Sequence, residues 1–283
     1  MTRSYVIGPT AFQLAGESSF LDELDVVYGP FRVDHRKGSP VLLRIEHGEA
    51  GFELSNCAGR SESHPDEAAA LRAAYSQLGQ LVVSELASAG IYAIHAACLE
   101  YDGGAVIVAG PSGAGKTTLA LGLLGRGLRL LSDEHALVPP TGSTIGPFLR
   151  SVQVRPNTHE LIPELRFLST RTPRDLGSGP KWSLEPGELA RLFPGCIGAS
   201  APLRSVVTLD PVHGTGAASI EPSTAGITTV ELARGTPHAA VSLTPVLTRL
   251  GELVTGRRCA RLHSGSLPST IDCLLDWLAA GDA

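Results

Sequence analysis

The sequence predicts an α/β protein in two parts: a small β-rich lobe over residues 1–65 and a mixed-sheet α/β domain over residues 66–283. Three observations carry this reading. An apolar run, Val106-Ile107-Val108-Ala109, leads into a glycine-rich segment and then into Leu119, Leu123 and Leu124 at helical spacing. Short β-compatible runs separated by Gly and Pro occupy the first ~60 residues. One long amphipathic stretch joins the two regions.

In the lobe, Ser4-Tyr5-Val6-Ile7, Asp25-Val26-Val27-Tyr28, Val41-Leu42-Leu43-Arg44-Ile45 and Gly51-Phe52-Glu53-Leu54 predict strands. His64-Pro65-Asp66-Glu67 places Pro and acids where a helix N-terminus favours them. Leu71, Ala74, Leu78, Leu81, Val82 and Leu86 then recur at helical spacing as far as Ala89-Gly90. The main domain opens with a hairpin, Ile91 to Glu100 returning as Ala105 to Ala109 around Asp102-Gly103. The helix after the glycine-rich segment ends at Arg126-Gly127. Leu128 to Leu131 is the next strand and ends at Ser132-Asp133-Glu134. Residues 139–181, rich in Pro, Gly, Thr and Arg, read as a long functional or mobile loop region. A strand over 205–209 and helices over 186–192, 244–254 and 268–279 complete the expectation.

Composition narrows the function. Of 283 residues, 43% are hydrophobic and 18% charged, which excludes wholesale disorder. A net charge of −5 argues against a broad nucleic-acid-binding face, although one basic pocket suffices for a phosphate. No run of about 18 apolar residues occurs, and Pro9 and Glu17 interrupt any signal-peptide core. The expectation is a soluble, cytoplasmic chain with neither membrane nor nucleic acid as partner. Five cysteines at wide spacing, with no CxxC pair, indicate neither zinc nor a disulfide framework. Lys37, Lys116 and Lys181 are the only lysines, so one retained in an Arg-rich background stands out as a compact point charge.

Lys116 belongs to Gly110-Pro-Ser112-Gly113-Ala114-Gly115-Lys116-Thr117, a GxxxxGK[ST] motif between a strand and a helix. Glycines let the backbone fold around phosphates, and successive N–H groups and the helix N-terminus point at the anion. The nucleotide-binding set is therefore Gly110, Ser112, Gly113, Ala114, Gly115, Lys116, Thr117 and Thr118. Lys116 is assigned to the β- and γ-phosphates of ATP and the Thr117 hydroxyl to Mg²⁺. Asp133 and Glu134 close the following strand, at the end where open α/β sheets gather ligand groups. One of them is suited to the metal or its water and the other to the proton of an attacking hydroxyl. His95, on the strand that pairs with the strand before the motif, can orient a carboxylate or the γ-phosphate, or can be an ordinary core histidine.

These residues resemble the catalytic domain of HPr kinase/phosphorylases and HPr-kinase-related proteins, whose fold is related to the phosphoenolpyruvate carboxykinases. In that family a His precedes the P-loop and an Asp-Asp pair closes the strand after it. Here His95 lies 21 residues before Lys116, and Asp133 and Glu134 lie 17 and 18 after it. The resemblance covers residues 66–160 well and the rest loosely. It implies that Lys116 binds phosphate, that Thr117 and Asp133 hold Mg²⁺ and that His95 is an active-site histidine. Glu134 stands where the family's base, its second Asp, falls, so whether Asp133 or Glu134 takes the proton stays open. The arrangement expected on this basis sets Asp133 beside His95 and Mg²⁺, with Glu134 toward the acceptor hydroxyl. A second metal carboxylate is expected near His159-Glu160. Lys181, and more weakly Arg150 and Arg155, are candidates for contact with substrate or γ-phosphate. Kinship also suggests a homo-oligomer.

Two absences argue against HPr as the substrate: no Leu-Glu-Ile-Arg-Gly-type signature occurs, and the lobe is short. The relatives lacking both features look like hydroxyl kinases. Some resemble kinases of modified-peptide pathways, including lasso peptides, and others resemble free-serine kinases. The implied function is thus ATP-dependent phosphorylation of a hydroxyl on a peptide or small molecule. The competing readings are a nucleotide-binding interaction or regulatory protein that transfers nothing and, more remotely, an ABC-type ATPase. The last lacks an LSGGQ segment here, and its Asp-Glu pair would fall far downstream.

Overall fold

The computed structural model describes residues 1–34, 38–48, 51–210 and 214–281, so Lys37 lies outside the described residues. The first 65 residues contain β1 (Thr2–Ile7), β2 (Thr10–Ala15), α1 (Ser18–Tyr28), β3 (Arg32–Val33), β4 (Val41–Gly48), β5 (Gly51–Asn56) and β6 (Ser61–His64). The strands form one sheet in the order β3-β1-β2-β4-β5-β6. The next helix, α2 (Glu67–Ser88), begins where Asp66 accepts a 2.7 Å hydrogen bond from the Ala69 N–H, a side-chain N-cap. Ala74, Leu78, Val82 and Leu86 of α2 join Tyr5, Phe12, Leu24, Leu42 and Leu54 in one buried cluster. The long helix is therefore packed on the first sheet.

The expected strand Asp25-Val26-Val27-Tyr28 is instead the last turn of α1. Phe20, Leu21, Leu24, Val27 and Tyr28 are its buried residues, and their spacing is that of a helix face. The adjacent β-branched valines are a weaker signal than that period.

The second region runs β7 (Tyr92–Tyr101), β8 (Gly104–Ala109), α3 (Lys116–Leu124), β9 (Arg129–Ser132), β10 (His135–Val138) and β11 (Thr144–Ile145). It continues through β12 (Val152–Val154), α4 (Pro156–Leu161), β13 (Arg174–Asp175), β14 (Pro180–Leu184), α5 (Pro186–Leu192) and β15 (Ala201–Leu209). It closes with β16 (Ser219–Pro222), α6 (Ala225–Arg234), α7 (Leu243–Val254), β17 (Arg258–His263) and α8 (Leu267–Ala279). The main sheet is mixed, ordered β10-β7-β8-β15-β17-β16. Its β8, β15 and β17 are mutually parallel, and β7 is antiparallel to β8. The mixed α/β class expected from sequence is what the chain adopts. One face packs α3, α5 and α8 through Leu119, Leu123, Leu189 and Leu274. The other packs α6 and α7 through Leu232, Val246 and Leu250.

The stretch 139–181 is not simply loop: β12, β14 and β13 make a small three-stranded sheet of their own, and α4 follows β12. Its many Pro and Gly residues mark the ends of these short elements. α6 and β17 were also not expected. Both are short, and β17 is Arg-Cys-Ala-Arg-Leu-His, whose buried Cys259, Ala260 and Leu262 are interspersed with arginines. No helix among the described residues is long and apolar enough to cross a membrane.

Candidate active site

The glycine-rich segment links β8 to α3 at the carboxyl end of the parallel strands. Gly113 and Gly115 have φ of +85° and +89°, a region that side-chain-bearing residues rarely enter. Gly115 is the N-cap of α3, so the unpaired N–H groups of the helix's first turn face the cleft. Lys116 is buried, and its Nζ donates to the carbonyl oxygens of Gly110 (2.8 Å) and Pro111 (3.1 Å). Burial lowers the Lys116 pKa, an effect that Glu134 opposes. The Thr118 and Thr158 hydroxyls meet at 2.7 Å and tie α3 to α4.

The acidic pair sits where one edge of β7 changes partner. Cys98 to Glu100 of β7 pair with β9, whereas Tyr92 to His95 pair with β10. Asp133 and Glu134 form the break between the two strands. The Ser132 hydroxyl accepts from the Glu134 N–H (3.1 Å) and the His135 N–H (2.9 Å), which fixes the turn. Adjacent residues of an unbroken strand point to opposite faces. The break lets both carboxylates line one cleft.

Their environments differ. Asp133 is 4% exposed. Burial pushes its pKa up to about 6, against the pull of Arg150. Burial would also raise Glu134, but Arg150, with His135 and His95, outweighs it and holds the pKa at about 2. Arg150 donates from one terminal nitrogen to Glu134 Oε2 at 2.7 Å and from the other to the Tyr75 hydroxyl at 2.7 Å. Its Nε has no hydrogen-bond partner among the described residues and lies 4.0 Å from Asp133 Oδ1. His95 Nδ1 stands 3.5 Å from Glu134 Oε1. Glu134, rather than Asp133, is thus the residue beside His95, contrary to the sequence expectation. The turn at Ser132 swings Glu134 across to β7.

His135 lies directly opposite His95 in the β7–β10 register, with ring centroids 5.9 Å apart. Burial lowers its pKa to about 4, so the ring is neutral at physiological pH. Ligand atoms of His95, Glu134 and His135 all lie within 4.8 Å of one another.

The cleft encloses about 750 Å³. It is lined by Ser112, Gly113, Ala114, Gly115, Lys116, Thr117 and Thr118, by His95, Asp133 and Glu134, and by Arg150, Arg155 and Lys181. Gly110 sits at the loop entrance and supplies a carbonyl to Lys116. Burial lowers the Lys181 pKa, and Arg155 lowers it further. His159 and Glu160 do not line the cleft: His159 stacks edge-on to Trp182 and Glu160 is exposed. The neighbouring Thr158 faces inward instead. Sequence reasoning missed Tyr75, His135, Gln153 and Thr158. His135 adjoins the acidic pair and was open to discovery there; Tyr75, on a helix packed against the other lobe, carries no local signal.

A second cavity of about 630 Å³ shares Tyr75, Arg150 and Glu134 with the cleft as a common wall. Its other sides come from α2 and from Pro237 to Val241.

No protein-family model matches the chain, and no curated protein matches it. Among solved structures, it is similar to the Hpr(Ser) kinase/phosphatase from Coxiella burnetii, at 14% identity and a TM-score of 0.33. That similarity covers 68% of this chain and 99% of that one.

Proposed function

We propose that the protein is an ATP-dependent phosphotransferase acting on a hydroxyl, either a Ser or Thr in a peptide, as in a modified or lasso peptide precursor, or a small alcohol such as free serine. One observation carries this reading: Lys116 and Thr117, at the start of α3, share a cleft with Asp133 and Glu134, at the end of the next strand. Kinship with the phosphoenolpyruvate carboxykinase-like P-loop fold, division into lobe 1–65 and catalytic unit 66–283, and homo-oligomer formation belong to the same proposal.

In this reading the N–H groups of residues 113–118 receive the phosphates, and Lys116 exchanges its two carbonyl partners for β- and γ-phosphate oxygens. The donors fit magnesium, since the Thr117 hydroxyl and the Asp133 carboxylate are hard oxygen ligands. Bound there, the ion would neutralise charge on the transferred group. Arg155 and Lys181 add positive charge to the cleft wall. Glu134 orients the acceptor hydroxyl and takes its proton as the new O–P bond forms and the bond to the departing ADP breaks. The transition state of such transfers is loose and the proton leaves late, so positioning matters more than a high carboxylate pKa. His95 and Arg150 hold Glu134 in place from its two oxygens.

The test mixes the protein with MgATP and candidate acceptors, free serine and Ser-containing peptides, and follows ³¹P NMR for a phosphomonoester. A phospho-product that requires Mg²⁺ is expected, and excess EDTA should abolish it. MgATP binding without any phospho-product would favour the nucleotide-binding regulatory reading instead.

A further inference from the structure

We propose that the second cavity is the acceptor site, and that it takes a peptide segment in which the hydroxyl-bearing residue is flanked by apolar side chains. This rests on the phosphotransferase reading for the role of the hydroxyl, but not for the peptide's seat.

The cavity and the nucleotide cleft meet at Glu134, so a group entering the cavity reaches the same carboxylate that faces the P-loop. In-line displacement needs the acceptor oxygen on the far side of the γ-phosphorus from the departing ADP oxygen, so the hydroxyl of a peptide seated in the cavity has to pass Glu134 into the cleft. The lining chemistry is unlike that of the cleft. Tyr28, Val83, Phe148 and Pro237 supply apolar surface. Among the described residues Glu134 is the only carboxylate in the wall and Arg150 the only arginine or lysine, and these two pair with each other beside His135 and His238. Such a chamber disfavours a charged flank and stabilises an apolar one, since a charge taken out of water needs a partner.

Two features point to a peptide rather than a small alcohol. Ser76, Gln80 and Ser84 lie four residues apart on α2 along the cavity and are exposed. Residues at this spacing share one helix face, and here they offer a row of hydrogen-bonding groups to an extended backbone. At the mouth, Val241 is 83% exposed and Leu243, two residues on, is 54% exposed, so apolar surface continues outside the chamber. A small ligand would leave this rim uncovered; flanking residues of a peptide would cover it.

The test uses the full chain and labelled hexapeptides, followed by fluorescence anisotropy without nucleotide. One peptide places a central Ala between Leu and Phe, and a second places it between two Asp residues. The wild type should bind the apolar peptide roughly tenfold or more tightly than the acidic one, the worth of one buried aliphatic side chain. Gly79→Leu should weaken that binding at least about tenfold by the same measure. A Cβ at Gly79 meets only the Tyr28 hydroxyl, at 3.7 Å, and leucine is the better helix former, so the fold should survive. Ser84→Trp, at an exposed rim position, blocks the cavity independently and should act in the same direction. Absence of saturable binding, equal binding by both variants and the wild type, or preference for the acidic peptide would each overturn the proposal. Selective peptide binding with no transfer from MgATP to the Ser-containing peptide would break the kinase reading and leave the acceptor site standing.

Discussion

The two chambers that share Glu134 differ in the charged groups on their walls. The cleft at the glycine-rich segment is lined by glycine backbone, hydroxyls, Lys116, Lys181 and Arg155, groups that favour an anion, with Asp133 and Glu134 at one end. Its neighbour mixes apolar surface from Tyr28, Val83, Phe148, Pro237 and Val241 with Ser76, Gln80, Ser84, His135 and His238. What separates them is a row of three hydrogen-bonded groups, Tyr75, Arg150 and Glu134. The difference teaches that the extra cations sit on one side only, with Arg150 the strut common to both walls.

If that division is right, each chamber should be breakable alone. Lys116→Ala should have the largest effect, lowering kcat/KM at least about a thousandfold, because it removes the cation facing the transferred phosphate. Peptide binding in the second chamber should stay at the wild-type level. Steady-state kinetics and anisotropy together check this, and loss of both activities would mean the chambers are not independent.

Arg150→Ala should damage both chambers. It leaves the carboxylates of Glu134 and Asp133 buried without their cation, a loss of about 3–5 kcal/mol in urea unfolding. Unchanged stability would show that the strut is dispensable. Glu134→Gln keeps the shape of the wall but not its charge. Turnover should fall about a hundredfold or more, while MgATP affinity, measured by calorimetry, changes by less than about threefold. Wild-type turnover in this variant alongside a dead Asp133→Asn would move the proton acceptor to Asp133.

The legibility of the two chambers also differs. The glycine-rich segment, its strand and helix, and the acidic pair were readable because each is dictated within about twenty residues: glycines with positive φ, a helix N-terminus, a strand end. The break at Ser132 that turns both carboxylates inward was not readable, because it depends on β7 pairing with β9 and β10 in succession. The partition was less legible still. Tyr75, Glu134 and Arg150 come from a helix packed on the first lobe, a strand break and a segment expected to be loop. No short-range pattern links them. The mistaken strand at Asp25 to Tyr28 has a local cause, two valines that outshone a helical period.

A smaller effect sharpens the contrast between the two carboxylates. The folded-state pKa of Asp133 is raised to about 6, so the folded protein binds its proton more tightly than the unfolded chain does. This contribution to stability is fully present below the ordinary Asp range and is lost as pH rises through about 6. It amounts to on the order of 2–3 kcal/mol. Glu134 has the opposite sign, its contribution being present above the ordinary Glu range and lost as pH falls toward 2. His135 and Glu134, whose pKa values are lowered, add stability as pH rises over part of this window, so the readout is the difference: between pH 4 and 7 the urea midpoint of the wild type should fall relative to that of Asp133→Asn as pH rises. An identical slope in both proteins would place Asp133 in contact with water.

The account's central claim is that the cleft beside Lys116 is a nucleotide triphosphate site facing a carboxylate pair. Calorimetric titration of the wild type and Lys116→Ala with MgATP and with AMP tests it most directly. The account predicts saturable MgATP binding by the wild type, at least about tenfold weaker binding by Lys116→Ala, and little binding of AMP, which lacks the β- and γ-phosphates that Lys116 and the α3 N-terminus hold. Equal affinity of wild type and Lys116→Ala for MgATP, or no binding by either, would contradict it.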